Sequence, residues 1–446
     1  MIKSFVNAFK VKEVRLKLLY TFAMLIVIRI GCQLPIPGIN KEYFDTWYES
    51  LKSQSGNAFS LVDMFTGGSF TNASIFALNI TPYITSSIVM QLLTIAIPKL
   101  EELQKERDGQ KVIASITRYV TVGLALMEAI ALAVNFKAQN LLNTNISTGL
   151  CVVSIVLALT AGSAFLMWIG EQINEKGIGN GISIVLVINI ISRIPSDMIQ
   201  LYEQFITPAI KESSIGKAVL YGVIIIAIIL LTVVLVVLLN GGVRKIPVQY
   251  AKKVQGNRMI GGNNSHIPMR VNTAGVMPII FASSIMQFPV VICSMLGKGQ
   301  GEGVGSKILK AMQTTNWFNK DEPVYTWGLA VYVLLCVFFA YFYTSITINP
   351  IMISDNMKKG GGFIPGIRPG KPTTEYLTNV LNYIIFMGAI GLIIVAVIPI
   401  LFSGLFGASV SFGGTSLIII VSVVLETVKQ VESMMLERNY KGFLNS

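Results

Sequence analysis

Few residues in this chain are equipped for covalent chemistry. His266 is the single histidine and lies in a Gly/Asn-rich loop, so a Ser-His-Asp arrangement has one imidazole to draw on. Cys32, Cys151, Cys293 and Cys336 sit singly in or beside apolar runs, form neither a CxxC pair nor a disulfide framework, and read as small hydrophobes. No Walker A sequence, GxGxxG fingerprint or HExxH stretch occurs, so neither a cofactor nor a metal is expected. Ionisable side chains inside apolar runs are the usual mark of a transport path. Here they are Arg29, near one end of its run where it can snorkel, together with Glu128 and Glu426. So few carboxylates disfavour an ion-coupled carrier of small solutes, which stays as the alternative reading. The chain is not expected to be an enzyme.

The elements that must position these groups are overwhelmingly apolar. Of 446 residues 53% are hydrophobic and 13% charged, against about a quarter charged in soluble domains. Ten apolar runs, near 18–34, 75–97, 118–137, 148–170, 182–200, 218–240, 273–296, 326–348, 377–402 and 415–434, are each long enough to cross a ~30 Å hydrocarbon core. Water cannot satisfy backbone groups there, so the expected fold is an all-α polytopic membrane protein. With ten spans and a cytoplasmic N-terminus, 24 of the 35 basic residues fall on the cytoplasmic side, which predicts that both termini are cytoplasmic. The first 17 residues are polar and basic and lead into a full-length span, so no cleavable signal is expected. The net charge of +12 follows from this topology and an anionic inner leaflet.

Two cytoplasmic loops exceed what topology requires. Residues 241–272 contain GGVRKIPVQYAKKVQGNRMIGGNNSHIPMR and residues 349–376 contain NPIMISDNMKKGGGFIPGIRPGKPTTEY. Both are basic and punctuated by Gly and Pro, which predicts structured hairpins or loops. Arg368 is framed by Pro365, Gly366, Pro369 and Gly370, a turn that would hold one guanidinium out toward a partner. Simple enrichment of positive charge at the cytoplasmic face is the competing explanation. The second apolar run poses a further question, because SFTNASIFALNITPYITSS at 69–87 opens it with hydroxyls and amides. Ordinary helix packing and contact with something wetter than lipid both fit.

Six stretches, in order along the chain, carry a resemblance. They are LPIPGIN at 34–40, IFALNITPYITSSIVMQLLT at 75–94, EKGIGNGISI at 175–184, RKIPVQYAKK at 244–253, VNTAGVMPIIFASSI at 271–285 and GGFIPGIRPGKPT at 361–373. With ten matching spans, they make the chain resemble the SecY family of bacterial Sec protein-translocase channels along its whole length. The resemblance implies two pseudo-symmetric five-helix halves, 1–200 and 218–446, joined by an external hinge at 201–217 and enclosing an hourglass pore. Its waist would be a ring of Ile80, Ile84, Leu186, Ile190, Ile280 and Ile419. The spacing of Ile80 with Ile84, and of Leu186 with Ile190, places each pair on one helix face but fits lipid-facing or core aliphatics equally. A plug within about 60–74 would include Phe65, Thr66, Gly67, Gly68, Ser69, Phe70, Thr71 and Asn72. A lateral gate would carry Thr85, Ser86, Ser87 and Gln91 on the second span, with Ser283, Ser284 and Gln287 on the seventh. Bonds between helices of a static bundle are the other use for such hydroxyls and amides.

The implied function is a passive conduit for unfolded secretory polypeptides, with hydrophobic segments released sideways into the bilayer. Energy would come from the ATPase SecA or a translating ribosome, docked on Arg244, Lys245, Lys252, Lys253, Arg258, Lys358, Lys359, Arg368 and Lys371. SecE and SecG would complete a heterotrimer. Signal peptides, nascent chains and membrane lipids are the other implied partners, and the location is the bacterial plasma membrane.

Overall fold

The computed structural model describes residues 9–54, 66–106, 108–143, 147–208, 215–250, 253–255, 258–260, 264–295, 303–313, 316–318, 323–406 and 414–444. Phe65 and the rest of 60–65, Lys252, and 209–214 of the expected hinge lie outside the described residues.

Each of the ten expected runs carries a helix. In chain order the helices are α1 Lys12–Gly31, α2 Lys41–Gln54, α3 Thr81–Ala96, α4 Pro98–Lys105, α5 Gly109–Ala138, α6 Thr148–Lys176 and α7 Gly181–Leu201. They continue with α8 Ile215–Gly241, α9 Met277–Met295, α10 Val304–Met312, α11 Trp327–Thr347, α12 Pro350–Lys359, α13 Lys371–Phe406 and α14 Gly414–Leu444. Among the described residues six helical segments are long and apolar enough to cross a membrane alone, and α3 with α4 makes a seventh across a 105° bend. The bend falls at Ile97–Pro98, where proline forces the preceding residue into an extended conformation. The apolar stretch of α9, Met277–Val290, is shorter. These properties make the chain a multi-pass membrane protein.

The second run departs from its expected bounds. It was expected helical from residue 75, but residues 75–80 form turns and α3 starts at Thr81. Asn79 sits at φ 53°, which a helix cannot continue through, and Pro82 is placed in the first turn, where its missing N–H costs nothing. Elsewhere local chemistry sets the starts as usual: the Asn180 side chain accepts from the amides of Ile182 and Ser183 to cap α7, and Asn349 caps α12 in the same way.

The two long loops fold together, joining strands more than a hundred residues apart. Strand β1 (Val243–Tyr250) pairs antiparallel with β4 (Asn264–Arg270), with Ile246 opposite Ile267, and its far end pairs with β5 (Gly362–Phe363) from the second loop. Between them β2 (Lys253–Gln255) and β3 (Arg258–Ile260) form a separate hairpin. Ile246, Val248, Met269, Met357, Ile364, Leu377 and Val380 close one core between the sheet, α12 and the start of α13. The alternation of β1, with Ile246 and Val248 inward and Lys245, Pro247 and Gln249 outward, is what a sheet with one wet face requires.

Two further cores organise the membrane part. One gathers Phe44 of α2 with Phe70, Phe136 and Leu141, the Phe44 and Phe136 rings meeting edge to face at 5.8 Å. The other draws on helices from both ends of the chain and contains the expected ring residues.

Candidate functional site

Ile80, Leu186, Ile190, Ile280 and Ile419 are all buried and share one apolar cluster, against which the half-buried Ile84 packs. Ile80 caps α3 and its carbonyl accepts from the Ile84 amide at 3.1 Å, so the two lie one turn apart on one face. Leu186 and Ile190 come from α7, Ile280 from α9 and Ile419 from α14. Four helices, from widely separated parts of the sequence, thus converge on one aliphatic knot.

Above the knot lies a cavity of about 440 Å³. Ile84, Leu186 and Ile280 line its apolar side, Ser87, Gln91, Asn240, Asn272 and Ser422 its polar one. Much of the polar wall is a built network. Asn272 Nδ2 donates to Asn240 Oδ1 at 2.7 Å, Asn240 Nδ2 donates to Ser422 Oγ at 2.6 Å, and Lys429 Nζ donates to the Asn240 carbonyl at 3.1 Å. Paired amides inside apolar runs are the mark that could have exposed this network in the sequence, because an unpaired buried amide is costly.

On the other side of the knot, residues 66–72 are tucked beneath α7. Gly67 has φ 65°, and a Cβ there would stand 2.7 Å from the Asn189 Cα. Its carbonyl accepts from Arg29 Nη1 and from Ser192 Oγ, both at 3.3 Å. Arg29, expected to snorkel, is instead turned inward onto this backbone. Asn189 Nδ2 donates to Asn79 Oδ1 at 2.9 Å, which ties the start of α3 to the same helix. Phe70 is buried against Phe44, so the segment is anchored by an aromatic ring as well as seated by a glycine. Locally the sequence shows only small polar residues here, and neither anchor has a signature in it.

Helix α9 packs against α3 and α5, where the N-terminal and C-terminal helices meet. Of the seven polar residues expected near this seam, five bond on their own sides of it. Ser86 Oγ donates to the Thr117 carbonyl and accepts from Thr121 Oγ1, both at 2.9 Å, within the N-terminal helices. Thr85 donates to the Thr81 carbonyl, Gln91 to Ser87, and Ser283 to the Ile280 carbonyl. Ser284 and Gln287 are half-buried on α9. Among the described residues none of the seven bonds across the seam, since a short hydroxyl on a helix is readily satisfied by a carbonyl one turn back.

On the module formed by the two long loops Arg244, Lys245, Lys358, Lys359, Arg368 and Lys371 are exposed, while Lys253 and Arg258 lie on β2 and β3. The backbone at Arg368 is pinned. Its carbonyl accepts from Thr373 Oγ1 at 2.8 Å, the Gly370 carbonyl accepts from Ser354 Oγ at 3.1 Å, and Gly366 and Gly370 adopt φ 84° and 104°. The guanidinium itself has no ion-pair partner among the described residues.

The SecY family profile matches residues 74–428. The chain is 42% identical to the protein translocase subunit SecY of Streptomyces galbus, 40% to that of Halalkalibacterium halodurans and 40% to that of Mycobacterium bovis, covering all of both chains in each case. The chain belongs to the SecY family. The fold agrees: a structure described as a protein conducting channel superposes with TM-score 0.66 at 17% identity, covering 94% of this chain and 92% of the other. A second, Sec61 in the canine ribosome-channel complex from the endoplasmic reticulum, superposes with TM-score 0.63 at 16% identity and the same coverage. The SecY fold explains why the knot, the seated segment and the cavity lie in series between helices contributed by both ends of the chain.

Proposed function

We propose that this chain is the protein-conducting channel subunit of a bacterial Sec translocase, passing unfolded polypeptides across the membrane and releasing hydrophobic segments sideways. The observation that carries the reading is the aliphatic knot of Ile80, Leu186, Ile190, Ile280 and Ile419, with a polar cavity on one face and a seated segment on the other. Apolar side chains of this kind exclude water and ions by dewetting yet offer a passing peptide no strong bonds. Full-length identity to proteins named translocase subunits supports it over a carrier of small solutes.

Within that reading the halves are 1–200 and 218–446, moving about the 201–217 hinge, and 66–74 is the described part of the plug. The gate lies where α9 meets α3 and α5. The basic cytoplasmic module receives SecA or a ribosome, with SecE and SecG as further subunits, in the bacterial plasma membrane with both termini cytoplasmic. The distribution of basic residues supports that orientation.

The test is reconstitution in vesicles with SecE, SecG, SecA, ATP and a secretory precursor. Protease-protected precursor is the expected product; uptake of a small solute with no protected precursor would reject the reading. The ring assignment has its own test. Ile280→Asn and Ile419→Asn each place an amide in the dry constriction and should raise resting ion conductance at least several-fold in planar bilayers. Unchanged conductance in both would remove the ring.

A further inference from the structure

We propose that α10, with the turn that leads into α11, is a membrane-surface site that binds anionic lipid headgroups at the end of the bundle opposite the β1–β5 module. The proposal goes beyond the channel reading and needs only that α11 crosses the membrane.

The placement follows from α11. Its last residue is two short of α12, which packs into the core beneath the sheet, so its first residue, Trp327, marks the other surface of the bilayer. Helix α10 is fastened at this level. It packs against α9, against α11 and against the 3-10 turn Pro323–Thr326. The Asn316 amide donates to the Lys310 carbonyl at 2.9 Å and the Trp317 indole to the Ala311 carbonyl at 2.7 Å, which satisfies the end of α10. The Trp317 ring meets that of Tyr332 at 5.5 Å, and Gly328 admits the Ala311 carbonyl so closely that a Cβ there would collide with it. The last turn of α10 thus lies against the second residue of α11.

A helix held at that depth must suit both water and lipid, and α10 does. At 3.6 residues per turn, Ile308, Leu309 and Met312 share one side and Ser306, Lys307 and Lys310 the other. Leu309 and Met312 are half-buried, but Ile308 is 45% exposed, as are Val324 (75%) and Trp327 (47%) in the elements packed against it. In water such apolar surface is a liability. At the rim of a span it dips among acyl chains, with Trp327 at the level where tryptophan is enriched. Lys307 and Lys310 are exposed and form no ion pair among the described residues, and their long stems can carry the ammonium groups up to the phosphates. Charge complementarity selects the occupant: two cations flank an apolar side at bilayer depth, and lipid phosphates are the anions present there in number.

The test uses the full chain reconstituted in vesicles of neutral lipid with a minor share of phosphatidylglycerol. Ile308→Cys, in a Cys293→Ala background because the other three cysteines are buried, carries a fluorescent label. Quenching is measured with spin-labelled phosphatidylglycerol, with spin-labelled phosphatidylcholine at the same mole fraction, and with iodide in the water. The anionic lipid is expected to quench about threefold or more above the neutral one, with little quenching by iodide. That excess should vanish when Lys307→Gln and Lys310→Gln are combined, persist with arginine at both positions, and shrink at high salt. Equal quenching by the two lipids, or an excess unchanged by removing both lysines, would overturn headgroup binding. Strong iodide quenching would mean a helix standing off the membrane, and shielding from lipid and iodide alike a helix covered by protein; either result also rejects the proposal. None of these readouts depends on translocation, so failure here leaves the channel function intact.

Discussion

Replacing Gly67 with valine should open the resting channel. The position has φ 65°, which a β-branched residue strongly resists, and the added Cβ would stand 2.7 Å from the Asn189 Cα of α7. Backbone strain of this kind costs ~1–3 kcal/mol, and the collision with α7 backbone adds to it, since backbone cannot swing aside as a side chain can. Moving the segment out also breaks the bonds from Arg29 and Ser192 to the Gly67 carbonyl. At about tenfold per 1.4 kcal/mol, the closed state loses at least tenfold in relative population. Single-channel recording should show this as a matching rise in resting conductance, and precursors with defective signals should cross. Gly68→Ala is the contrast, because a Cβ there meets only the flexible Arg193 side chain at 4.0 Å, and its effect should be smaller. A Gly67→Val channel as tight as the unaltered one would dismiss 66–72 as the seal.

Arg368→Glu should abolish transport driven by SecA and leave the channel folded. The guanidinium is exposed, and what shapes the loop is backbone: the bonds into the Arg368 and Gly370 carbonyls from Thr373 and Ser354, and the left-handed glycines at 366 and 370. None of these needs the arginine side chain, so stability should change by no more than about 0.5 kcal/mol. The turn therefore presents an exposed cation on a pinned backbone, in the same module as Lys358, Lys359 and Lys371, suited to planar, bidentate capture of a carboxylate. Reversing its sign replaces attraction by repulsion at the centre of the surface, and SecA affinity should fall about tenfold or more at low salt, less at high salt. Binding measured at two ionic strengths, beside a thermal-denaturation midpoint, checks both halves of the expectation. Normal transport by the variant would strip Arg368 of its role.

Much of this architecture was legible without coordinates because a bilayer imposes length. Each of the ten apolar runs carries a helix, although only six segments, or seven with the bent pair, are long and apolar enough to span among the described residues, and the basic, Gly- and Pro-punctuated loops yielded strands and turns as their residues predict. The errors were local. The expected helix at 75–80 is absent because the left-handed Asn79 and the following Pro82 override hydrophobicity. Arg29 lies near the end of an apolar run, where it can snorkel, but its guanidinium donates to the Gly67 carbonyl.

Length, apolar runs, charge placement and the absence of catalytic motifs follow from residues taken one neighbourhood at a time. These are enough to specify a multi-pass protein and, through six ordered motifs, its family. Which side chains meet is another matter. Helical spacing pairs Ile80 with Ile84 but is silent on Ile280 and Ile419, hundreds of positions away, because facing depends on how whole helices rotate and cross. The same holds for the Asn79–Asn189 pair, the Asn240 network and the sheet that joins two distant loops. Each is a long-range contact, chosen by the packing of the assembled bundle and not by any local preference of the chain.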